Sequence, residues 1–592
     1  MPNNEGEHDI PELELTGIQT AIDEITEQIN DYGFDPIPVE LETGMQPRVY
    51  CEQTWDAIIT TNNHHHPTIF QKAGAMVRIV KTGDNRRIIQ PIDYQNLHNA
   101  ITYRVNYVRR LNRKEVMKWI DEHPMAEPNP QTAAEAIRIN LRSPKDLVSD
   151  VLNRHNFEGL PELIGIVTCP IMDLQTGNIN FQSHYDPVAQ MYFGRIPSLQ
   201  IPAIPENPTP EEVQHAVGLL KETIIDFPFV NEVDRVNALA CIITAVIRPS
   251  INGNVPIYII DKPSPGTGAG LLCDTISFIV TGELARAMTL SKTGDEEWKK
   301  VITSVLRSGN LLSIIDNIED KVSLPSLASL VTCGLYSDRI LATNMMFTSP
   351  HRNVWILNGN NVQIGGDLGR RSYMSRMDAN LKQPWLRNGF THDQIPWITE
   401  NRGRILSAIY TIVRSWVRAG AIPASDDIPP MGSFEQWRSI IGGIMQHISC
   451  PQFNSNSEEM METTDADTPQ WDLFISTLFE RVADWNKKDK TMLGSIFSKV
   501  ETTTRVIFTT HDIIDILEFE KDPNNVGDKT PLIDTLPDDM VDGYTAGRNS
   551  SRIIGRHLRS QLGRVFSKRL KLRKSESKTD NQTKWVVVKE SS

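Results

Sequence analysis

Apolar positions along this chain fall into short runs broken by turn residues, and strand-like and helix-like spacing alternate. Met76–Val80, Ile164–Val167 and Asn178–Phe181 have the make-up of strands, with Thr176-Gly177-Asn178 turning the chain into the last. Ile18, Ala21, Ile22, Ile25 and Ile29 repeat at helical spacing, and Tyr94–Arg110 also reads as a helix. Thr209-Pro210-Glu211-Glu212 is a strong helix start: an N-cap hydroxyl, proline at the first position, then acids. Val213, Val217, Leu220 and Ile224 continue it, and a second helix spans Ala238–Ile247. Three apolar runs follow. Pro256–Ile260 leads into a proline- and glycine-rich turn and a helix from Leu271. Gly309–Ile315 ends in Asp316-Asn317, and a helix follows at Leu324–Leu330. Asn353–Leu357 ends in Asn358-Gly359-Asn360-Asn361. Helical patterns return at Arg402–Trp416 and from Gly432, Thr509 and Ser550, and strand-like runs close the chain at Arg569–Arg573 and Trp585–Val588.

At 592 residues the chain predicts roughly three to five domains. No apolar run approaches the ~20 residues of a membrane span, and the acidic start is no signal peptide, so no membrane partner is expected. Six cysteines without C-x-x-C spacing fit a reducing, cytoplasmic setting. His64-His65-His66 reads as surface, because consecutive side chains diverge too far to close on one ion. The net charge of −14 alone would argue against nucleic acid, yet Arg548–Lys574 carries ten Lys or Arg and no acid. Ser457–Asp467 is acidic and reads as a solvated loop. In the Tyr94–Arg110 helix, Tyr103 and Tyr107 share a face among Arg104, Arg109, Arg110 and Arg113. They either clamp single-stranded nucleic acid or lie half-buried under snorkelling arginines.

The turn after Pro256–Ile260 carries the most chemistry. Pro265-Gly266-Thr267-Gly268-Ala269-Gly270-Leu271, between a strand and a helix, is the context of a phosphate-binding loop. The pattern G-x-x-x-x-G-K-[ST] puts lysine where this chain has Ala269 and a hydroxyl where it has Gly270. A lysine about 4 Å from a phosphate charge is worth roughly 4 kcal/mol at an effective dielectric of ~20. Its loss predicts slow hydrolysis, with backbone N–H groups still able to hold nucleotide. Lys262, on the entry side of the loop, is a candidate for partial substitution. Asp316, at the end of a strand expected beside the loop strand, is placed to hold Mg²⁺. Asn360 or Asn361 suits a polar sensor at a strand tip, whereas Asn358 reads equally as an Asn-Gly turn. Arg370 and Arg371 are placed either to reach a neighbouring subunit's nucleotide or to lie on the surface. Glu296, Glu297 and Glu319 are candidates for activating water.

The ordered set GTGAGLL, LLSIIDN, LYSDRIL, WILNGNN, GGDLGRR and PWLR resembles AAA+ ATPases of the superfamily 3 and poxvirus-type primase-helicase kind, carried by viruses, plasmids and integrated elements. The resemblance covers roughly residues 205–590. It implies a multidomain α/β protein with a central AAA+ P-loop NTPase core, a parallel sheet with helices on both faces. It also implies a homo-oligomeric ring, usually a hexamer, with ATP between subunits and DNA in the channel. On that pattern Gly266–Gly270 cradle phosphate, Asp316 serves Mg²⁺ with Asn317 beside it in the catalytic set, Asn360 or Asn361 is the sensor, and Arg370 or Arg371 acts in trans. Relatives read GTGKGLL at the loop.

Beyond the core, a helix from Ser550 carries Ile554, Leu558 and Leu562 on one face and Arg552, Arg556 and Arg559 on others. With the basic strands after it, including Lys568, Arg569 and Lys571, this is the outline of a DNA-binding winged helix. The expected organisation is an acidic lead-in at 1–49, an N-terminal mixed α/β domain at 50–205 and the ATPase core with its preceding helices at 206–425. A helical region with the acidic loop follows at 426–504, then a basic winged-helix-like domain at 505–592. The functional expectation is an AAA+ DNA helicase or translocase with hydrolysis impaired by Ala269. The alternative is a non-hydrolysing, nucleotide- and DNA-binding scaffold or loader in replication or defence.

Overall fold

A computed structural model of the chain describes residues 36–41, 45–64, 66–83, 86–110, 112–122, 138–144, 146–154, 156–289, 295–318, 322, 324–339, 346–464, 467–492, 503–526, 529–545, 550–575 and 583–590. The helix expected at 18–29 lies outside them. The chain divides into two compact units, one running essentially to Glu458 and the other formed mainly by Glu459–Ser592.

The first unit is built on a five-stranded sheet in the order Met288–Thr289, Leu312–Ile318, Val354–Asn360, Ile257–Lys262, Ser372–Arg376, parallel throughout. Every residue of Ile257–Lys262 is buried, as a central strand covered on both faces requires. The strand ending in Asp316 was expected directly beside this loop strand. Instead the asparagine-bearing strand, third of the three in sequence, inserts between them. Sequence order fixes which strands exist, whereas crossover length fixes where each docks. The chain leaves the loop strand towards one edge and later returns to its other side, so the loop lies at a topological switch point, where such sheets bind ligands.

The Thr209 capping box forms, and the helix Pro210–Glu222 packs on the long helix Gln394–Arg418. That long helix binds the unit together. Arg402, buried, donates from Nε to the Ile279 carbonyl (3.0 Å) and from Nη2 to Val280 (3.3 Å) and Thr168 Oγ1 (3.1 Å). It thereby caps the loop helix Ala269–Thr281 at its negative end. Arg414 donates to the carbonyls of Gly177 (2.9 Å), Ile204 (2.9 Å) and Pro205 (3.0 Å), so the proline-rich linker is pinned at its centre.

Upstream, the mixed α/β region holds small sheets, including Ile69–Lys72, Ala75–Lys81 and Arg87–Pro91 in antiparallel order. Tyr94–Arg110 is not one helix. It is helical over Tyr94–Arg104 and a strand over Val105–Arg110, paired with Ile37–Glu40. The β-branched and aromatic alternation of Val105, Tyr107 and Val108 outweighs helical spacing there. Tyr107 is buried against Thr54 Oγ1 (3.0 Å) and Tyr103 is exposed, so the two share no face. The strand expected at Asn178–Phe181 shrinks to Ile179–Asn180. The acidic stretch is also not a loop: Ser457–Thr464 is a helix whose Met460 is buried.

The second unit has a four-stranded antiparallel sheet in the order Arg505–Thr509, Lys584–Lys589, Leu570–Lys574, Val565–Phe566. Helices Asp467–Asp484, Thr510–Phe519 and Ser550–Ser560 cover it around Phe474, Phe508, Ile516, Leu558 and Trp585. Arg481 and Glu520 form a buried ion pair at 2.6 Å inside this unit.

Two predictions follow from the packing. A Cβ on Gly403 would lie 1.8 Å from the Gln200 carbonyl oxygen. Gly403→Ala should therefore cost about 1–3 kcal/mol in denaturant unfolding and expose residues 200–208 to proteolysis. His351, at the end of the asparagine strand remote from the loop, is pushed down to about 3 by burial, then by the charges of Arg248 and Arg352. Its folded value lies below the unfolded one, so the neutral ring's contribution is complete above about pH 6.5 and is lost as pH falls towards 3. Moving from pH 6.5 to 5 should cost about 1–2 kcal/mol, and His351→Asn should flatten that slope in urea unfolding.

Candidate functional site

The glycine loop leaves the sheet after Lys262. Gly266 and Gly268 hold φ of +81° and +105°, conformations that side chains resist, and Thr267 Oγ1 closes the turn onto the Ser264 carbonyl at 2.8 Å. Gly268 caps the loop helix, so the backbone N–H groups of that helix's first turn are presented at the loop. Ala269 is the first helical residue and is 1% exposed, a buried methyl where the lysine pattern has a cation. Trp385 packs against the loop: a Cβ on Gly266 would lie 3.0 Å from its ring. The indole is otherwise 59% exposed.

Beneath the loop, the three central strand tips meet through their side chains. Lys262 Nζ donates to Asn358 Oδ1 at 2.7 Å, and Asn358 Nδ2 donates to Asp316 Oδ1 at 2.6 Å. Lys262 and Asn358 are buried. Burial lowers the Lys262 amine below the usual lysine value, while the charge of Asp316 pulls the other way. Asp316 sits at a register shift between Ile315 and Ile318, and Asn317 beside it takes φ +60°. A bulge of this kind re-aims a side chain near a site.

Asn358 and Asn360 belong to the strand Val354–Asn360, which continues through the expected turn. Gly359 is needed for close approach rather than for turning: a Cβ there would lie 2.5 Å from the Ile318 carbonyl oxygen. Asn358, read from sequence equally as a turn residue, thus becomes the bridge between strands. Asn360 Oδ1 is buried without a partner, and Asn361, at φ +45°, lies 3.3 Å from Arg376 Nη2. Arg376 also pairs with the buried Asp261. Arg376 and Asp261 escaped the sequence reading. The only available signal was that Asp261-Lys262 ends an apolar run.

The remaining candidates lie elsewhere. Arg371 donates to the Ala328 carbonyl and to Thr332 Oγ1 (3.0 Å), held inside its own chain by the helix Pro325–Leu330, and Arg370 is exposed. Glu296 and Glu297 pair with Lys299 and Lys300 on their own helix, and Glu319 lies outside the described residues. In the second unit Arg552, Arg556 and Arg559 are exposed along the helix Ser550–Ser560. Lys568 pairs with Glu480 (3.1 Å) and Lys571 with Glu590 (3.4 Å), while Arg569 is exposed.

The residues fit a nucleotide with Mg²⁺. The loop supplies N–H donors, Asp316 a carboxylate, and Asn360 an unspent buried acceptor. No family model matches the sequence, and no curated protein matches it. Among solved structures, the chain is similar to the A-form apo NrS-1 C-terminal region, at 12% identity and a TM-score of 0.35. That match covers 90% of this chain and 98% of the other. It is also similar to SCCmec type IV Cch, described as an active helicase, at 9% identity and a TM-score of 0.28, covering 80% and 89%. At such scores these likenesses assign neither fold nor activity.

Asn358→Ala should cost about 1–3 kcal/mol in urea unfolding, because it leaves the buried Lys262 amine without its acceptor.

Proposed function

We propose that this chain is a AAA+ ATPase of the mobile-element or viral helicase kind, a ring-forming DNA helicase or translocase using ATP and Mg²⁺. One observation carries the reading: a glycine loop at the switch point of a parallel sheet stands over three adjacent strand tips, joined as Lys262–Asn358–Asp316. In this role the loop N–H groups bind phosphate. Asp316 holds Mg²⁺, which ordinarily takes one or two carboxylates together with substrate phosphates. Asn360 orients a polar group near the terminal phosphate. Bound Mg²⁺ supplies charge neutralisation. The order of residues 505–592, a strand, three helices and then antiparallel strands, with Arg552, Arg556 and Arg559 on an exposed helix face, supports a winged helix that neutralises DNA phosphates. A homo-hexamer in the cytoplasm completes the proposal.

Ala269 favours a second reading, a non-hydrolysing scaffold or loader that binds nucleotide and DNA. The two separate on Ala269→Lys, measured with and without DNA. The motor reading expects DNA-stimulated hydrolysis to rise by about tenfold or more, as each ~1.4 kcal/mol of transition-state stabilisation implies. Oligomers that form normally but gain no hydrolysis would leave the scaffold. Calorimetry with MgATP and electron microscopy of the purified protein with ATP and DNA test nucleotide binding and the ring.

A further inference from the structure

The loop's missing cation has a counterpart one strand end away. Lys262 is the last residue of the loop strand, 8% exposed, with its amine turned towards the amide of Asn358 and so towards Asp316. The amine therefore lies at the tip of the loop strand, one amide from the carboxylate of the next strand but one, with the loop helix starting seven residues further along the chain. Position 269, where the pattern would put the cation, offers only a buried methyl.

The amine is under-used. An ammonium carries three donors, and one hydrogen bond, to Asn358, is formed. Among the described residues no carboxylate lies within salt-bridge distance of it. Asp316 acts on it from one amide away rather than as a direct partner, so the remaining donors of the ammonium are open to an added anion. The groups around the tips narrow the choice of anion. The helix after the loop opens with first-turn N–H donors, and a carboxylate suited to a divalent cation stands one amide from the amine, a set that suits a metal-bound polyphosphate better than a simple carboxylate.

We propose that Lys262 contacts the nucleotide's phosphates in place of the lysine absent at position 269, so that the phosphate cation of this protein is carried by the strand rather than by the loop helix. The inference rests on the nucleotide reading above. It assigns Asn358 as the residue that positions the amine between ligand and Asp316, and it makes Ala269 a relocation of the charge rather than its loss.

The test uses the full chain, with MgATP and inorganic triphosphate as probes in calorimetry and thermal shift. The native protein is expected to bind both. Lys262→Ala should weaken MgATP by about tenfold or more and abolish the thermal shift with triphosphate, as loss of a charge-assisted contact implies. Adding Ala269→Lys to Lys262→Ala should bring affinity back to within about threefold of native, since a cation is then supplied from the helix. A folded Lys262→Ala protein that binds within about twofold of native would overturn the proposal and leave Lys262 as a tie for Asn358. Should Lys262→Ala fail to fold, Lys262→Met and the double variant take its place. A folded double variant that does not recover binding also overturns it. A native chain that binds neither probe sinks the nucleotide reading itself.

Discussion

A buried amine at the end of a central strand needs hydrogen-bond partners, and the one that Lys262 has organises the rest of the site. Its acceptor, Asn358, belongs to the neighbouring strand, and that asparagine's amide holds the carboxylate of the next strand along. Three strands are thus locked at one depth by two hydrogen bonds, in a place where an unmet polar group is expensive. The register shift at Asp316 and the glycine at 359 are the backbone adjustments that let those side chains meet.

The other end of the same architecture is fastened by arginines spending their fork on main-chain carbonyls. Arg402 and Arg414 of the long helix hold the end of the loop helix, the proline-rich linker and the turn at Gly177. Gly403 lets the chain at Gln200 pass within van der Waals reach of the helix backbone. The N-terminal mixed region is therefore continuous with the five-stranded sheet, although the sequence between them reads as a spacer. Proline content limits what a segment can form by itself and says nothing about what grips it.

Legibility in the sequence followed how local each cause is. The loop strand, the glycine turn and the Thr209 cap were readable because a few adjacent residues determine them. Strand order was not, since it depends on where each crossover docks. Asn358 was obscured by Gly359: an Asn-Gly pair signals a turn when only neighbours are considered, and close approach to Ile318 becomes visible only with the partner strand beside it. Tyr107 was misplaced for a similar reason. Its partners, Thr54 and the strand Ile37–Glu40, lie far away in sequence. Asp316 was found as a residue, but its hydrogen-bond partner could not be deduced.

The loop helix, thirteen residues from Ala269 to Thr281, spans about 20 Å at the rise of an α-helix. One end frames the glycine turn, and the other is gripped by Arg402 together with Thr168, a residue of the upstream region. A hydrogen-bonded rod of that length scarcely compresses, so an axial displacement imposed at Thr168 arrives at the glycines almost undiminished. Leverage on the glycine turn thus begins outside the five-stranded sheet, in a segment whose own side chains suggest no chemistry.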